Sequence, residues 1–168
     1  NVSPKGEFEY LFLEYFDQME AWADAAVKSL KASGYKQLYQ QSIDAGYMVH
    51  GEYNYHNILF DATSEKDNYG HRKLNVYTVN FDHFKKNVQV EDLYYFLRKA
   101  MEKQGFKEWI SDGILNAYSA IIPLGKNELE YLKNRLMYTE KFFKVANSYY
   151  HSNKAWISIK NVEKMQMA

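Results

Sequence analysis

"VHGEYNYHNILFD", Val49 to Asp61, sets two histidines, one glutamate and two asparagines between apolar segments. Tyr47, Met48 and Val49 lead in, and Ile58, Leu59 and Phe60 lead out. A plain turn does not need so many hydrogen-bonding side chains, so this stretch calls for its own explanation. Its flanks are too short for independent helices. After a polar turn, "TSEKDNYGHRK", comes "LNVYTVNFDHF" with strand-like alternation, Val76, Thr78 and Asn80 facing one way and Tyr77, Val79 and Phe81 the other. "NILF" and "NVYTVNF" therefore read as an antiparallel hairpin directly after the polar loop.

Helix surrounds this insert. Phe8, Phe12, Tyr15, Met19, Trp22, Ala26 and Leu30 recur at helical spacing, with Ser3 before Pro4 as a start and Ser33-Gly34 as a stop. A short helix runs from Gln37 to Ile43. Val90, Leu93, Tyr94, Leu97 and Met101 form a stripe that ends near Gly105. Trp109, Ile110, Leu115, Tyr118 and Ile122 form another, stopped by Pro123. Asn127 reads as an N-cap with Glu130 completing a capping box, and one long helix follows through Leu136 and Phe143 to Tyr150. "HSNK" breaks it, and a last short helix follows Ser158. The fold class is mainly α with a small β-hairpin.

The chain has 168 residues, which predicts one domain, 1–168, with a real core. Basic and acidic residues number 21 each, a balance that argues against nucleic acid or an anionic membrane as partner. There is no cysteine, which excludes disulfides and cysteine-ligated zinc. No apolar run approaches the ~18 residues of a membrane span, and the N-terminus lacks the apolar core of a signal peptide. The first residue is Asn1 and not Met, which fits a processed or excised chain. Sixteen tyrosines supply core and leave some apolar surface for protein contacts.

The polar loop can be written H-G-E-x-x-x-x-N: His50, Gly51, Glu52 and Asn57. In kinase-type phosphoryl transfer a loop carboxylate orients the acceptor hydroxyl, and an asparagine five residues later holds a metal on the phosphates. The strand that follows should deliver a second metal-binding carboxylate, and "VNFDHF" arrives at that place. The segment resembles the catalytic loop of the aminoglycoside phosphotransferase and choline kinase group, H-G-D-x-x-x-x-N and then a strand ending I-D-F. "HGEYNYHNILF", "VNFDHF", "VEDLYYFLRKAMEK" and "YHSNKAWISIKNVEK" together resemble the CotS-type spore-coat proteins of spore-forming bacteria, a branch of that group.

The resemblance implies a two-lobed kinase-like protein of which this chain is the C-terminal lobe, the nucleotide-binding N-lobe lying outside it. It puts Glu52 at the catalytic-base position, Asn57 at the metal-ligand asparagine and Asn80 at the second metal ligand, normally Asp. It gives His50 a loop-packing role, and makes Asp92 the acid that braces the loop from the following helix. It implies ATP and magnesium for the full-length protein and no cofactor for this chain alone. The partners implied are other spore-coat proteins or its own N-lobe. An apolar patch left uncovered near the loop predicts self-association. The place implied is the spore coat, assembled in the mother-cell cytoplasm.

Two positions depart from the active pattern. Glu52 is one methylene longer than Asp, and a misplacement near 1 Å can cost on the order of 100-fold in rate. Asn80 is neutral, and a unit charge at ~4 Å is worth about 4 kcal/mol at an effective dielectric near 20. Asp82, two residues on in a strand, would face the side of Asn80 and compensate. No glycine-rich strand-turn-strand with a following lysine is present, so the isolated chain is expected to be inactive. The expectation is a structural spore-coat scaffold or degenerate kinase. The alternative is a phosphotransferase acting on a small-molecule or protein hydroxyl once its N-lobe is supplied.

Blander readings stand beside these. His50 can be a satisfied buried histidine. A metal site from His50, Glu52 and His56 lacks helical i, i+4 spacing. Asp82 and His83 would point to opposite faces of a strand. Asp92 suits a helix first turn through the dipole alone. Lys85, Lys86 and Lys99 read as solvated.

Overall fold

The structure is a computed structural model that describes residues 6–66, 68–152 and 159–167. Among the described residues, seven α-helices and four strands follow in the order α1 (Glu7–Ala32), α2 (Tyr35–Asp44), β1 (Met48–Val49), β2 (Ile58–Lys66), β3 (Arg72–Thr78), β4 (Lys85–Lys86), α3 (Val90–Lys103), α4 (Glu108–Ser119), α5 (Lys126–Met137), α6 (Glu140–Tyr150) and α7 (Ile159–Gln166). Helix dominates among the described residues, and the strands form two antiparallel pairs, β2 with β3 and β1 with β4. No helix of the described residues is long and apolar enough to cross a membrane.

The chain divides into two compact units, 1–32 with 133–168, and 33–132. The first is organised by aromatics. Phe8, Phe142, Ala146 and Met165 are buried together, with Phe12, Phe16, Met19 and Val162 packed around them. Phe8 stacks on Tyr149 with ring centroids 3.7 Å apart, and the Tyr149 hydroxyl donates to Glu9 Oε1 at 2.6 Å. Burial, reinforced by that hydrogen bond to a carboxylate, pushes the Tyr149 phenol up to about 12. Of the first helix stripe, Phe8, Phe12, Met19 and Ala26 face the core as the spacing predicts, while Tyr15 and Trp22 are exposed. Its proposed start at Ser3 and Pro4 lies outside the described residues, as does the run Asn153 to Ser158.

The helix expected to run unbroken from Asn127 to Tyr150 is two helices, α5 and α6. The break falls at Tyr138 and Thr139, where the Thr139 hydroxyl donates to the Met19 carbonyl at 2.9 Å. A long-range hydrogen bond of that kind overrides an apolar spacing that continues across the break. Asn127 is also not the N-cap, because α5 already includes Lys126. Its side chain instead fills the space beside Gly34, where a Cβ would collide with it. Gly34 has φ −71°, so turn geometry does not call for glycine there, and a larger residue would have to displace the Asn127 side chain.

The second unit carries the hairpin. Ile58 pairs with Thr78, Leu59 with Tyr77 and Phe60 with Val76, and β2 extends past the quoted "NILF" to Lys66. Leu59, Phe60, Leu74, Val76 and Tyr77 are exposed on it. Helix α3 buries Val90, Leu93, Tyr94 and Leu97 on the stripe expected of it. The pairing of Met48 with Lys86 and Val49 with Lys85 brings the entry and exit of the central segment together. Lys85 is not simply solvated: its ammonium lies 3.2 Å from the buried carboxylate of Glu91.

Candidate active site

The loop from His50 to Asn57 is tied down from three sides. The helix α3 side is Asp92, whose carboxylate accepts the His50 backbone N–H at 2.7 Å and the Gly51 N–H at 3.0 Å. Two charge-assisted hydrogen bonds to successive loop amides do more than complement a helix dipole: they fix where the loop begins. The strand side is Val79, whose carbonyl lies 2.8 Å from His50 Nε2. A carbonyl only accepts, so Nε2 carries the proton. His50 Nδ1 is then free to accept the Glu52 N–H, at 3.2 Å. His50 is 5% exposed and fully engaged, the packing histidine that both its readings describe. The aromatic side is Phe81, its ring 4.7 Å from the His50 imidazole, while Tyr53 bridges His50 to Phe96 of α3.

The rest of the loop ties to itself. The Asn54 side chain accepts the His56 N–H at 2.9 Å and starts a 3₁₀ turn, Tyr55–Asn57. The amides of Asn54 and Asn57 both donate to the Glu52 carbonyl, each at 2.9 Å. The crowd of polar side chains in the opening stretch therefore satisfies backbone groups of a tight loop that has no ladder partner.

At the end of β3 the chain turns sharply. Asn80 is left-handed, φ 63° and ψ 57°, and Phe81–His83 form a 3₁₀ turn. Asparagine tolerates this region better than most residues. The strand thus ends before Asp82, and alternation cannot carry Asp82 to the side of Asn80. Asp82 is exposed and has no hydrogen bond or ion pair among the described residues. His83, expected on an opposite strand face, sits on the same turn. Its Nε2 lies 3.8 Å from Glu52 Oε1, both side chains more than half exposed. The turn is pressed onto the loop: Gly51 has φ 85°, and a Cβ there would run into the His83 carbonyl. The signals that sequence reasoning passed over are Asn80 as a left-handed strand terminator and Gly51 as a point of close approach.

Glu52, Asn57 and Asn80 are brought together by one chain of contacts. Asn57 is 7% exposed, and its donation to the Glu52 carbonyl fixes which way its amide points. Its Oδ1 then faces Asn80 and accepts that residue's Nδ2–H at 2.8 Å. The Asn57 amide oxygen, which a cation would need, thus already accepts an internal donor. Among the described residues no three carboxylate or histidine side chains gather where a metal could sit.

No family model matches the chain, and no curated protein matches it in sequence. Among solved structures it is similar to the aminoglycoside phosphotransferase from Alicyclobacillus acidocaldarius subsp. acidocaldarius, with a TM-score of 0.81 and 14% identity over 99% of this chain. The matched part is 46% of that protein, so the chain spans less than half its length. The likeness shows the fold: a kinase-like, aminoglycoside phosphotransferase scaffold, mostly helical with small sheets.

Proposed function

Starting from a phosphotransferase scaffold, we propose that this chain is the C-terminal lobe of a CotS-type spore-coat protein in which the phosphate-metal site has become a hydrogen-bonded amide pair. Its role is then structural, a scaffold within the coat, and its partners are other coat proteins or its own N-lobe. The observation that carries this reading is the 2.8 Å donation from Asn80 to Asn57 Oδ1. Magnesium takes near-octahedral oxygen ligands and relies on carboxylates. Here the asparagine oxygen already accepts a neutral donor, the second position lacks charge, and Asp82 lies on the exposed turn beyond it. The residues present do not fit the ion, and no reaction step is derived through it.

A second reading is favoured by a different observation. Asp92, Val79 and Phe81 brace the loop, and the exposed Glu52 carboxylate has His83 as its one ion-pair neighbour among the described residues. A phosphotransferase acting on a small-molecule or protein hydroxyl, with ATP and magnesium supplied through an N-lobe, would need that arrangement. Assay of the full-length protein with ATP and magnesium separates the two. The scaffold reading expects no turnover. Magnesium-dependent turnover that disappears in Glu52→Gln would overturn it. Fractionation of spores tests the place separately: absence of the protein from the coat fraction ends the coat assignment whatever the enzymology.

A further inference from the structure

The second unit contains a cavity of about 360 Å³ that none of the loop residues 50–57 lines. It lies within the ~300–1,000 Å³ typical of small-molecule sites. Leu38 of α2, Val88 and Val90 at the start of α3, and Ile122 after α4 give it apolar walls. Leu38, Val88 and Val90 are almost fully buried, so those walls belong to the packed core of the unit. Glu128 of α5 is the one charged residue among the described ones that lines it, and Tyr118 of α4 lines it as well. Among the described residues no lysine, arginine or histidine lines it.

The electrostatics agree with that inventory. Burial raises the Tyr118 phenol above its usual range, and the negative charges of Asp92 and Glu128 raise it further. Two carboxylates are thus felt at one wall with no lining cation to answer them. The nearby Lys126 is directed to Glu130, 3.9 Å away.

We propose that this cavity is a binding site for a small amphipathic amine, its ammonium at Glu128 and Tyr118 and its apolar body against Leu38, Val88 and Ile122. The site is joined to the loop by one turn of helix. Gln89 and Val90 border the cavity, and Asp92 in the same turn holds the His50 and Gly51 amides. An occupant therefore sits beside the brace of the loop, and its arrival should be felt there. This proposal does not depend on the spore-coat reading or on catalysis.

The test is an NMR titration of the ¹⁵N-labelled chain with 4-phenylbutylamine, and with 4-phenylbutyrate as the charge-reversed control. The amine should shift the amides of Gln41, Val88 and Leu124, and with them His50 and Gly51. The carboxylate should not. Glu128→Gln should weaken amine binding by roughly 10-fold, the scale of one charge-assisted contact. Ala45→Phe places bulk in the cavity from an exposed, right-handed C-cap position where folding tolerates it, and should abolish the shifts. No binding of the amine, equal binding of amine and carboxylate, or binding untouched by Ala45→Phe would each overturn the proposal.

Discussion

The two ends of the loop between His50 and Asn57 differ in how they are held. At the His50 end, the Asp92 carboxylate fixes two backbone amides, while a carbonyl and a phenyl ring hold the buried imidazole. At the Asn57 end, two neutral amides hold each other, and the neighbouring carboxylates, Glu52 and Asp82, lie exposed. The first end shapes a loop; the second, on the reading proposed above, is where a phosphotransferase would hold its metal. The contrast teaches that loop geometry and metal chemistry are separable. A chain can keep the frame while the charge that gives the frame its chemical use is missing.

The contrast predicts a gradient of stability effects. Asp92→Ala leaves two loop amides without their acceptor and should cost about 3 kcal/mol, read as a lower urea midpoint at unchanged m-value. Asp92→Asn keeps one acceptor oxygen and should cost about half as much. If Asp92→Ala were as mild as a surface substitution, the brace would not be what holds the loop.

Gly51→Ala should come next, at about 2–3 kcal/mol, because it adds a Cβ at φ 85° against the His83 carbonyl. Gly70 is the internal control. It has φ 83° but no atom within 4 Å of a Cβ, so Gly70→Ala should show only the backbone cost of about 1 kcal/mol. Equal effects at the two glycines would mean that the turn at His83 does not press on the loop.

The amide end should respond least. Asn80→Ala loses one hydrogen bond and strains a left-handed residue, about 1–2 kcal/mol together. Asn80→Gly loses the same bond but relieves the backbone, and should lie within about 0.5 kcal/mol of the parent. A large loss in the glycine variant would show that the amide pair, and not the backbone, is the structural element there.

A smaller effect concerns the other unit. The folded-state Tyr149 phenol is raised to about 12 from its ordinary value of 10.0, so its stabilisation is fully present below pH 10. It should be lost as pH rises through about 12, and Tyr149→Phe should flatten that alkaline limb. Denaturation midpoints measured across the alkaline range provide the check.

Much of this was legible in the residues. Apolar spacing located α1, α3 and α4, and alternation between turn signals located the hairpin. The H-G-E-x-x-x-x-N pattern located the loop, since a tight loop without ladder partners needs polar side chains at fixed offsets. Other features depended on contacts distant in sequence. The helix break at Thr139 rests on a hydrogen bond to Met19, 120 residues away, which no local pattern encodes. The place of Asp82 was misread because alternation was carried past the end of β3 at Thr78 and through the left-handed Asn80. Asn80 ends the strand by turning left-handed, and everything after it follows the turn. His83 beside Glu52 was passed over for the same reason.

On the proposed reading, the amide pair of Asn57 and Asn80 stands where a metal would need charge. Magnesium titrated calorimetrically into the chain, parent against Asn80→Asp, tests it most directly. No measurable binding is expected of the parent, and a gain of at least ~10-fold of the variant, since one added carboxylate supplies the missing charge. A parent that binds magnesium as tightly as the variant would contradict it.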